Sequence, residues 1–365
     1  MNFIKDKIRN IDPILFFATS FLSLVSLAVL FGARGNEHGF RNFLMQGAMT
    51  VAGLIFMIVL ANVDFSNLHP LVYVTVYAFS GLLLILLLFV GESAGTNQNW
   101  IKIPVIGISV QPSEFVRTSF ILTLAKHLSL VKDEINKPKN VILLMLHAGV
   151  IMGLLLLSGD LGMTLVYLGI MAVMLYCAGL SLWYFLAAIF LIVAAFPFLW
   201  DFLAEYQKER ILIGFNPDID PSGVGLQQIQ SRTAIAGGGF FGRGINGAGS
   251  YKGMYASTTD FFFSTYAEMF GFFGCLVLLG VMMLIVVRLI ILARRSSDLY
   301  SAFICAGVAG MMVVQTVENL GMCLCLLPVV GITLPFLSAG GSSVLSIYLI
   351  FGLVHGTSRE KRKLL

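Results

Sequence analysis

Asp260 is the residue best placed by sequence to do chemistry. It closes a long polar stretch, residues 201–260, and is followed at once by Phe261, Phe262 and Phe263. An acid held at the border between water and hydrocarbon is costly and marks a functional candidate. The same stretch holds five cations (Lys208, Arg210, Arg232, Arg243, Lys252) and six acids (Asp201, Glu205, Glu209, Asp218, Asp220, Asp260). Such a charged but nearly neutral mixture suits a site that holds an anion and moves a proton.

Other spacings in the stretch invite chemistry, and some mislead. Gln227, Gln230 and Ser231 fall at i, i+3 and i+4, on one polar face of a short helix lying along the membrane surface. Gly237, Gly239 and Gly242 satisfy G-x-G-x-x-G, yet no βαβ context surrounds them, which excludes a dinucleotide site. Asp218, Asp220, Ser222 and Gly223 resemble the opening of a calcium loop, but Pro221 intrudes and Ile229 stands where the bidentate Glu is required. Ser231 has no partner histidine for a hydrolytic triad. The glycines, with Asn216-Pro217 and Asp220-Pro221, argue for an irregular loop folded by turns.

Further candidates lie outside the loop. Trp100 and Lys102 precede the polar start of a helix at Gln111, Pro112, Ser113 and Glu114, where Pro112 suits the first turn. Glu114 and Arg117 sit three apart and pair across one turn, either as a structural lock or as part of a substrate path. Asp160 reads as the N-cap of the next helix. Glu268, seven residues beyond Asp260, falls on nearly the same face of its helix, and Glu318 with Asn319 interrupts a later one. Then Pro328, Gly331, Pro335, Gly340 and Gly341 make a continuous helix difficult. Broken backbone at membrane depth must be buried in protein or line a cavity. We therefore expect a re-entrant segment on the external side, bringing Ser338, Ser342 and Ser343 near the loop.

The elements that position these residues follow from composition. Of the 365 residues, 58% are hydrophobic and only 12% charged, with a mean hydropathy of +0.91. Soluble domains carry about a quarter charged residues, so the chain reads as an all-α polytopic membrane protein. At roughly 20 apolar residues per crossing, ten spans are predicted, near 13–32, 43–62, 71–90, 112–131, 140–158, 161–178, 181–200, 262–293, 301–325 and 341–357. The first lacks a small-residue cleavage site and is expected to remain as a helix. The whole of 1–365 reads as one membrane domain, with 201–260 as its large extracytoplasmic loop.

Basic residues set the orientation. With both termini inside, 14 of the 23 Lys and Arg are cytoplasmic, and outside the long loop only Arg34, Arg41 and Lys102 oppose them. The long loop then faces outward. The net charge of +4 reflects anchors facing anionic lipid and gives no sign of nucleic-acid binding. The five cysteines lack CxxC spacing and the five histidines are scattered, so neither a disulfide framework nor a zinc site is indicated.

Taken in order, the motifs resemble the SEDS family, which includes the RodA and FtsW proteins. The resemblance spans most of the chain. It rests on Asn99 to Ile101, QPSEF at Gln111 to Phe115, DLG at Asp160 to Gly162, the pattern from Arg210 to Ser231, the glycine-rich Ala234 to Gly244, TDF at Thr259 to Phe261, NLGM at Asn319 to Met322, and LPFLSAGGSS at Leu334 to Ser343. The short N-terminal tail favours the RodA type. Tyr255, Ala256 and Thr258 stand where members commonly carry Pro-Glu and then His, Met269 replaces a frequent second acid, and Gly159 replaces a usual Pro.

The resemblance implies a peptidoglycan glycosyltransferase of the bacterial cytoplasmic membrane that polymerises lipid II on the outer face, beside a class B penicillin-binding protein that crosslinks the strands. It implies Asp260 as the catalytic residue. Joining the 4-hydroxyl of one sugar to the anomeric carbon of another with inversion needs a base on the hydroxyl and cations on the pyrophosphate. Arg210 is the first candidate for the pyrophosphate, since guanidinium matches phosphate oxygens bidentately, with Lys102 and Arg243 behind it. Gln227, Gln230 and Ser231 suit sugar hydroxyls or amides. A divalent cation could share the phosphate load, although no ligand cluster is visible. Two other readings stay open: a lipid II flippase using Glu114, Arg117, Glu318 and the broken segment, and a non-catalytic scaffold for the transpeptidase.

Overall fold

In a computed structural model, the described residues are 11–33, 39–65, 68–94, 97–103, 108–202, 205–223 and 225–357. The described residues hold ten helices of 17 residues or more. They are α1 Pro13–Gly32, α2 Gly39–Leu60, α3 Pro70–Val90, α4 Pro112–Val131, α5 Pro138–Leu157, α6 Leu161–Cys177, α7 Leu182–Phe202, α10 Phe262–Arg295, α11 Leu299–Cys323 and α12 Gly341–Thr357, with the shorter α8 Glu205–Phe215 and α9 Leu226–Gly237 between α7 and α10. Six of the ten are long and apolar enough to cross a membrane outright, and α6, α7 and α12 are shorter apolar helices. The protein is a multi-pass α-helical membrane protein.

Local chemistry explains where the helices begin. Pro13, Pro70, Pro112 and Pro138 occupy first turns, where the missing N–H is one that lacks a partner anyway. Asp12, Asp160 and Asp298 cap α1, α6 and α11 by accepting backbone N–H groups. Small residues let the central helices approach. A Cβ on Gly53 of α2 would lie 2.5 Å from the Tyr348 ring of α12, and one on Gly169 of α6 would lie 2.5 Å from Val314 of α11. Membrane helices associate through such close packing because lipid offers no hydrophobic drive between them. α7 instead exposes Trp183, Phe190, Leu191 and Phe198, as befits a helix bathed in lipid.

Two features depart from the sequence reading. Between α3 and α4 lies a small antiparallel sheet, β1 Glu92–Ala94, β2 Asn97–Ile103 and β3 Ile108–Val110, in the order β1-β2-β3. It carries Trp100 and Lys102 on β2. The long loop holds the short helix expected around Gln227 to Ser231, α9, and also an unforeseen second helix, α8. In α9, Gln228, Ser231 and Ala234 repeat every three residues and are fully buried, so a stripe of small and polar side chains seats α9 on α10.

The glycine run after α9 serves this docking. A Cβ on Gly238 would meet the Ala267 carbonyl at 2.1 Å, and one on Gly242 the Met269 carbonyl at 2.2 Å. Opposite them α10 breaks at Gly271, whose φ of 67° breaks the helical run. The N–H groups beside the break find loop carbonyls: Phe272 donates to Gly239 at 2.8 Å and Phe273 to Phe240 at 3.0 Å.

Between α11 and α12 the backbone of 324–340 is non-helical, as the prolines and glycines foretold. Its polar groups are met within the protein. The Ala339 N–H donates to the Thr258 carbonyl at 2.8 Å, the Ser338 hydroxyl to the Thr259 carbonyl at 2.6 Å, and the Gly340 N–H to Gln46 Oε1 at 3.2 Å. Leu334, Phe336 and Leu337 are buried. This is how irregular backbone survives at membrane depth.

Candidate functional site

Asp260 stands at the end of a run of turns, 255–261, directly before α10. The run is closed by the Phe261 N–H donating to the Ala256 carbonyl at 3.0 Å. From α11, the Asn319 amide donates to the Asp260 carbonyl and to the Ile332 carbonyl, each at 2.7 Å. One side chain thus ties the turns to the broken segment. The Asp260 carboxylate lines a cavity of about 660 Å³, and burial pushes its pKa up to about 6. Gly331 faces it, and a Cβ there would lie 3.6 Å from Asp260 Oδ2.

The cavity gathers residues from distant parts of the chain: Asn99 and Trp100 of β2, Gln111 and Asp160 at the starts of α4 and α6, Gly214 of α8, Gln227 and Gln228 of α9, Tyr255, Ala256, Thr259, Asp260 and Phe261 of the turns, Val329, Gly331 and Thr333 of the broken segment, and Ser343 of α12. Asp160 has two roles. It caps α6 by accepting from the Met163 N–H at 3.1 Å, and it accepts from Gln111 Nε2 at 3.2 Å and Ser113 Oγ at 3.4 Å. Burial still raises its pKa against those bonds.

Of the residues singled out by sequence, Asp260, Trp100, Gln111, Asp160, Gln227 and Ser343 line this cavity. The others lie elsewhere. Ser231 is buried against Ser264 and the Cys323 carbonyl, Ser338 is spent on Leu334 and Thr259, and Ser342 accepts from the Gln111 N–H. Gln230 packs beside Gly253. Lys102 is exposed on β2, opposite Ser109. Arg243 donates to the Gly237 carbonyl and lies 3.5 Å from Glu268. The Arg210 side chain lies outside the described residues.

Three acids have other settings. Glu114 and Arg117 form a buried pair at 2.5 Å, bridged by Ser346, which accepts from Arg117 and donates to Glu114. Glu268 is fully buried and accepts from the N–H groups of Gly249, Ser250 and Tyr251 at 3.0, 2.9 and 3.1 Å, so it pins the loop that leads to Asp260. Glu318 is half-buried in α11. Among the described residues no group of three or more His, Cys, Asp or Glu is placed to hold a metal ion.

Sequence reasoning passed over Gln228, Tyr255, Thr333 and, as a site residue, Asn99. Gln228 was adjacent to a face already recognised as polar. Tyr255 carried a signal too, since it sits where the family pattern has proline.

Comparison with known proteins follows the same geometry. The family model FTSW_RODA_SPOVE, described as cell cycle protein, matches residues 10–363. A probable peptidoglycan glycosyltransferase FtsW of Coxiella burnetii is 35% identical over 288 residues, covering 77% of this chain and 76% of the relative. The peptidoglycan glycosyltransferase MrdB of Escherichia coli K12 is 30% identical over 369 residues, covering 98% and 96%. Relatives of both names match, so the RodA type is not separated from FtsW. Among solved structures, a chain of a peptidoglycan synthase complex that coordinates polymerization and crosslinking superposes with a TM-score of 0.82 at 30% identity, covering 96% of this chain and 98% of that one. The rod shape determining protein RodA of Thermus thermophilus gives 0.71 at 27% identity, covering 96% and 97%.

Proposed function

The chain belongs to the FtsW/RodA/SpoVE family, and from that premise we propose that it is a peptidoglycan glycosyltransferase that polymerises lipid II on the outer face of the bacterial cytoplasmic membrane. The observation that carries the reading is the Asp260 carboxylate at a large cavity, with burial raising its pKa to about 6. A base poised near the working pH is half ionised where it must act, and such a group contributes on the order of 10²–10⁴-fold. Asp260 takes the proton of the 4-hydroxyl as that oxygen attacks the anomeric carbon from the side opposite the pyrophosphate. The anomeric C–O bond breaks, the pyrophosphate leaves with the pair, and the configuration inverts.

Residues 201–260 form the catalytic loop of a single domain in this reading. Arg210 is the first candidate cation for the departing pyrophosphate, with Lys102 and Arg243 as weaker candidates. Glu268 holds the loop, and Asn319 holds Asp260 by its backbone. Orientation draws on the placement of cations: Lys126 near the end of α4 lies 5.3 Å from the Tyr73 ring at the start of α3 and 5.9 Å from the Tyr300 ring at the start of α11. That end of the bundle, with Arg294 and Arg295, is the cytoplasmic one by the basic-loop rule. A class B penicillin-binding protein is the proposed partner, as suits a relative found in a complex that couples polymerization to crosslinking.

The transport reading drew on Glu114, Arg117, Glu318 and the broken segment; the segment lines the cavity, but Glu114 and Arg117 are paired with each other and with Ser346 and, like Glu318, do not line it. The test is polymerisation by the purified protein supplied with lipid II, with and without a candidate partner. Glycan strands support the enzyme. Lipid II movement across vesicles without polymer supports the transporter.

A further inference from the structure

Gln46 lies two turns into α2 and is fully buried, whereas Leu44, Val51 and Ile55 on the other side of the helix are exposed. A primary amide at that depth must be bonded by protein, since hydrocarbon offers it no partner. Its Nε2 donates to Ser26 Oγ of α1 at 3.0 Å and to the Ser338 carbonyl at 3.2 Å, and its Oε1 accepts from the Gly340 N–H at 3.2 Å. The partners fix the orientation of the amide, because a carbonyl must face the NH₂ end and an N–H the oxygen. Ser26 in turn donates to the Leu337 carbonyl at 2.5 Å. One glutamine and the serine beside it thus hold three successive peptide groups between Leu337 and Gly340.

The same short run grips the residues just before Asp260. The Ala339 N–H donates to the Thr258 carbonyl at 2.8 Å, and the Ser338 hydroxyl to the Thr259 carbonyl at 2.6 Å. Asn42, one turn before Gln46 on α2, donates to the Thr258 hydroxyl at 3.4 Å. The two carbonyls that precede Asp260 are therefore fixed by residues 338 and 339, and those residues are fixed by Gln46. Asn319 holds the Asp260 peptide from α11, and Gln46 holds the opposite side from α2. Gln46 does not line the cavity, so its effect on the reaction passes through the backbone of 338–340.

We propose that Gln46 is a positioning residue for Asp260, which sets the aim of the carboxylate through residues 338–340 and so couples α2 to the reaction. The proposal rests on the reading of Asp260 as the general base. Misplacing a reacting group by about 1 Å costs on the order of 10²-fold. With the Asn319 bonds still in place, loss of Gln46 is expected to cost roughly tenfold.

The test is Gln46→Met, which keeps the length and removes both donors and the acceptor, in the full-length protein in lipid nanodiscs. Expected is a kcat for lipid II polymerisation lowered roughly tenfold with KM little changed. The titration midpoint of the Asp260 carboxyl, read from the infrared band that Asp260→Asn removes, is expected to move as well. A purely structural glutamine would alter only the melting temperature, so wild-type kcat and midpoint in Gln46→Met overturn the proposal. A raised KM with kcat unchanged overturns it too, because Gln46 would then act on binding. Ser26→Ala releases Leu337 alone and is expected to move the midpoint less, in the same direction. Should Gln46→Met fail to fold, an unmoved midpoint in Ser26→Ala overturns the proposal and a moved one supports it. In an Asp260→Asn background Gln46→Met should cost nothing further, and a second tenfold loss there overturns the proposal. Normal polymerisation by Asp260→Asn removes the base and this proposal with it, whereas an inactive Asp260→Asn beside an unaffected Gln46→Met removes the proposal alone.

Discussion

Asn319 grips Asp260 by its backbone, not its carboxylate: the amide gives one N–H to the Asp260 carbonyl and another to the Ile332 carbonyl, both at 2.7 Å. The side chain that does the proposed chemistry is thereby left free to reach the cavity, while the peptide that carries it is fixed to the broken segment. Asn319→Leu keeps the volume and removes both donors. Each buried carbonyl left without a partner costs about 1–3 kcal/mol, so the variant should melt earlier and lose polymerisation. Wild-type melting in the same detergent would show that the two bonds contribute nothing to the site.

Asp260→Asn keeps size and hydrogen bonding and removes basicity. Polymer formation should fall by roughly 10²-fold or more with lipid II binding retained. Near-normal strand formation would remove Asp260 as the base, and loss of binding together with activity would make it a ligand of the substrate.

The pH dependence follows from the raised pKa. A base works only when deprotonated, so kcat/KM should drop about tenfold per unit below pH 6 and level off above it. The same shift has a stability consequence. An acid whose folded pKa is raised favours the fold below its ordinary pKa and loses that contribution as pH rises through about 6. Asp260→Asn should therefore gain stability relative to wild type at pH 8 and show little gain at pH 4, as read by paired melting curves.

Glu114 and Arg117 are expected to be coupled. Removing one member of a buried pair strands the other charge and costs about 3–5 kcal/mol. Glu114→Gln and Arg117→Gln should each lower the yield of folded protein, and the double variant should cost less than their sum. Strict additivity in the cycle would mean that the 2.5 Å contact carries no interaction.

Orientation is tested by labelling. In a cysteine-free background, a cysteine at exposed Lys252 should react with an impermeant thiol reagent added outside intact cells, and one at exposed Arg295 should not. The reverse pattern places the cavity on the cytoplasmic side.

What was legible in the sequence was whatever depends on local runs. Among the described residues ten long helices emerge where ten apolar segments are written, because in hydrocarbon each helix must satisfy its own backbone. The break after α11 was visible in Pro328, Gly331 and Pro335, and the cap at Asp160 in its place before an apolar run. Asp260 announced itself by standing at the edge of hydrocarbon. Tertiary structure decided the rest, because it depends on which distant surfaces meet. Gln227 and Gln228 are neighbours in sequence, and only the packing of α9 against 214, 322 and 327 gives the second its fixed amide. Ser231 and Gln230 share a helical face with Gln227, yet one is buried against Ser264 and the other sits by Gly253. Spacing places side chains on a face of a helix, and what that face meets is settled by elements up to a hundred residues away.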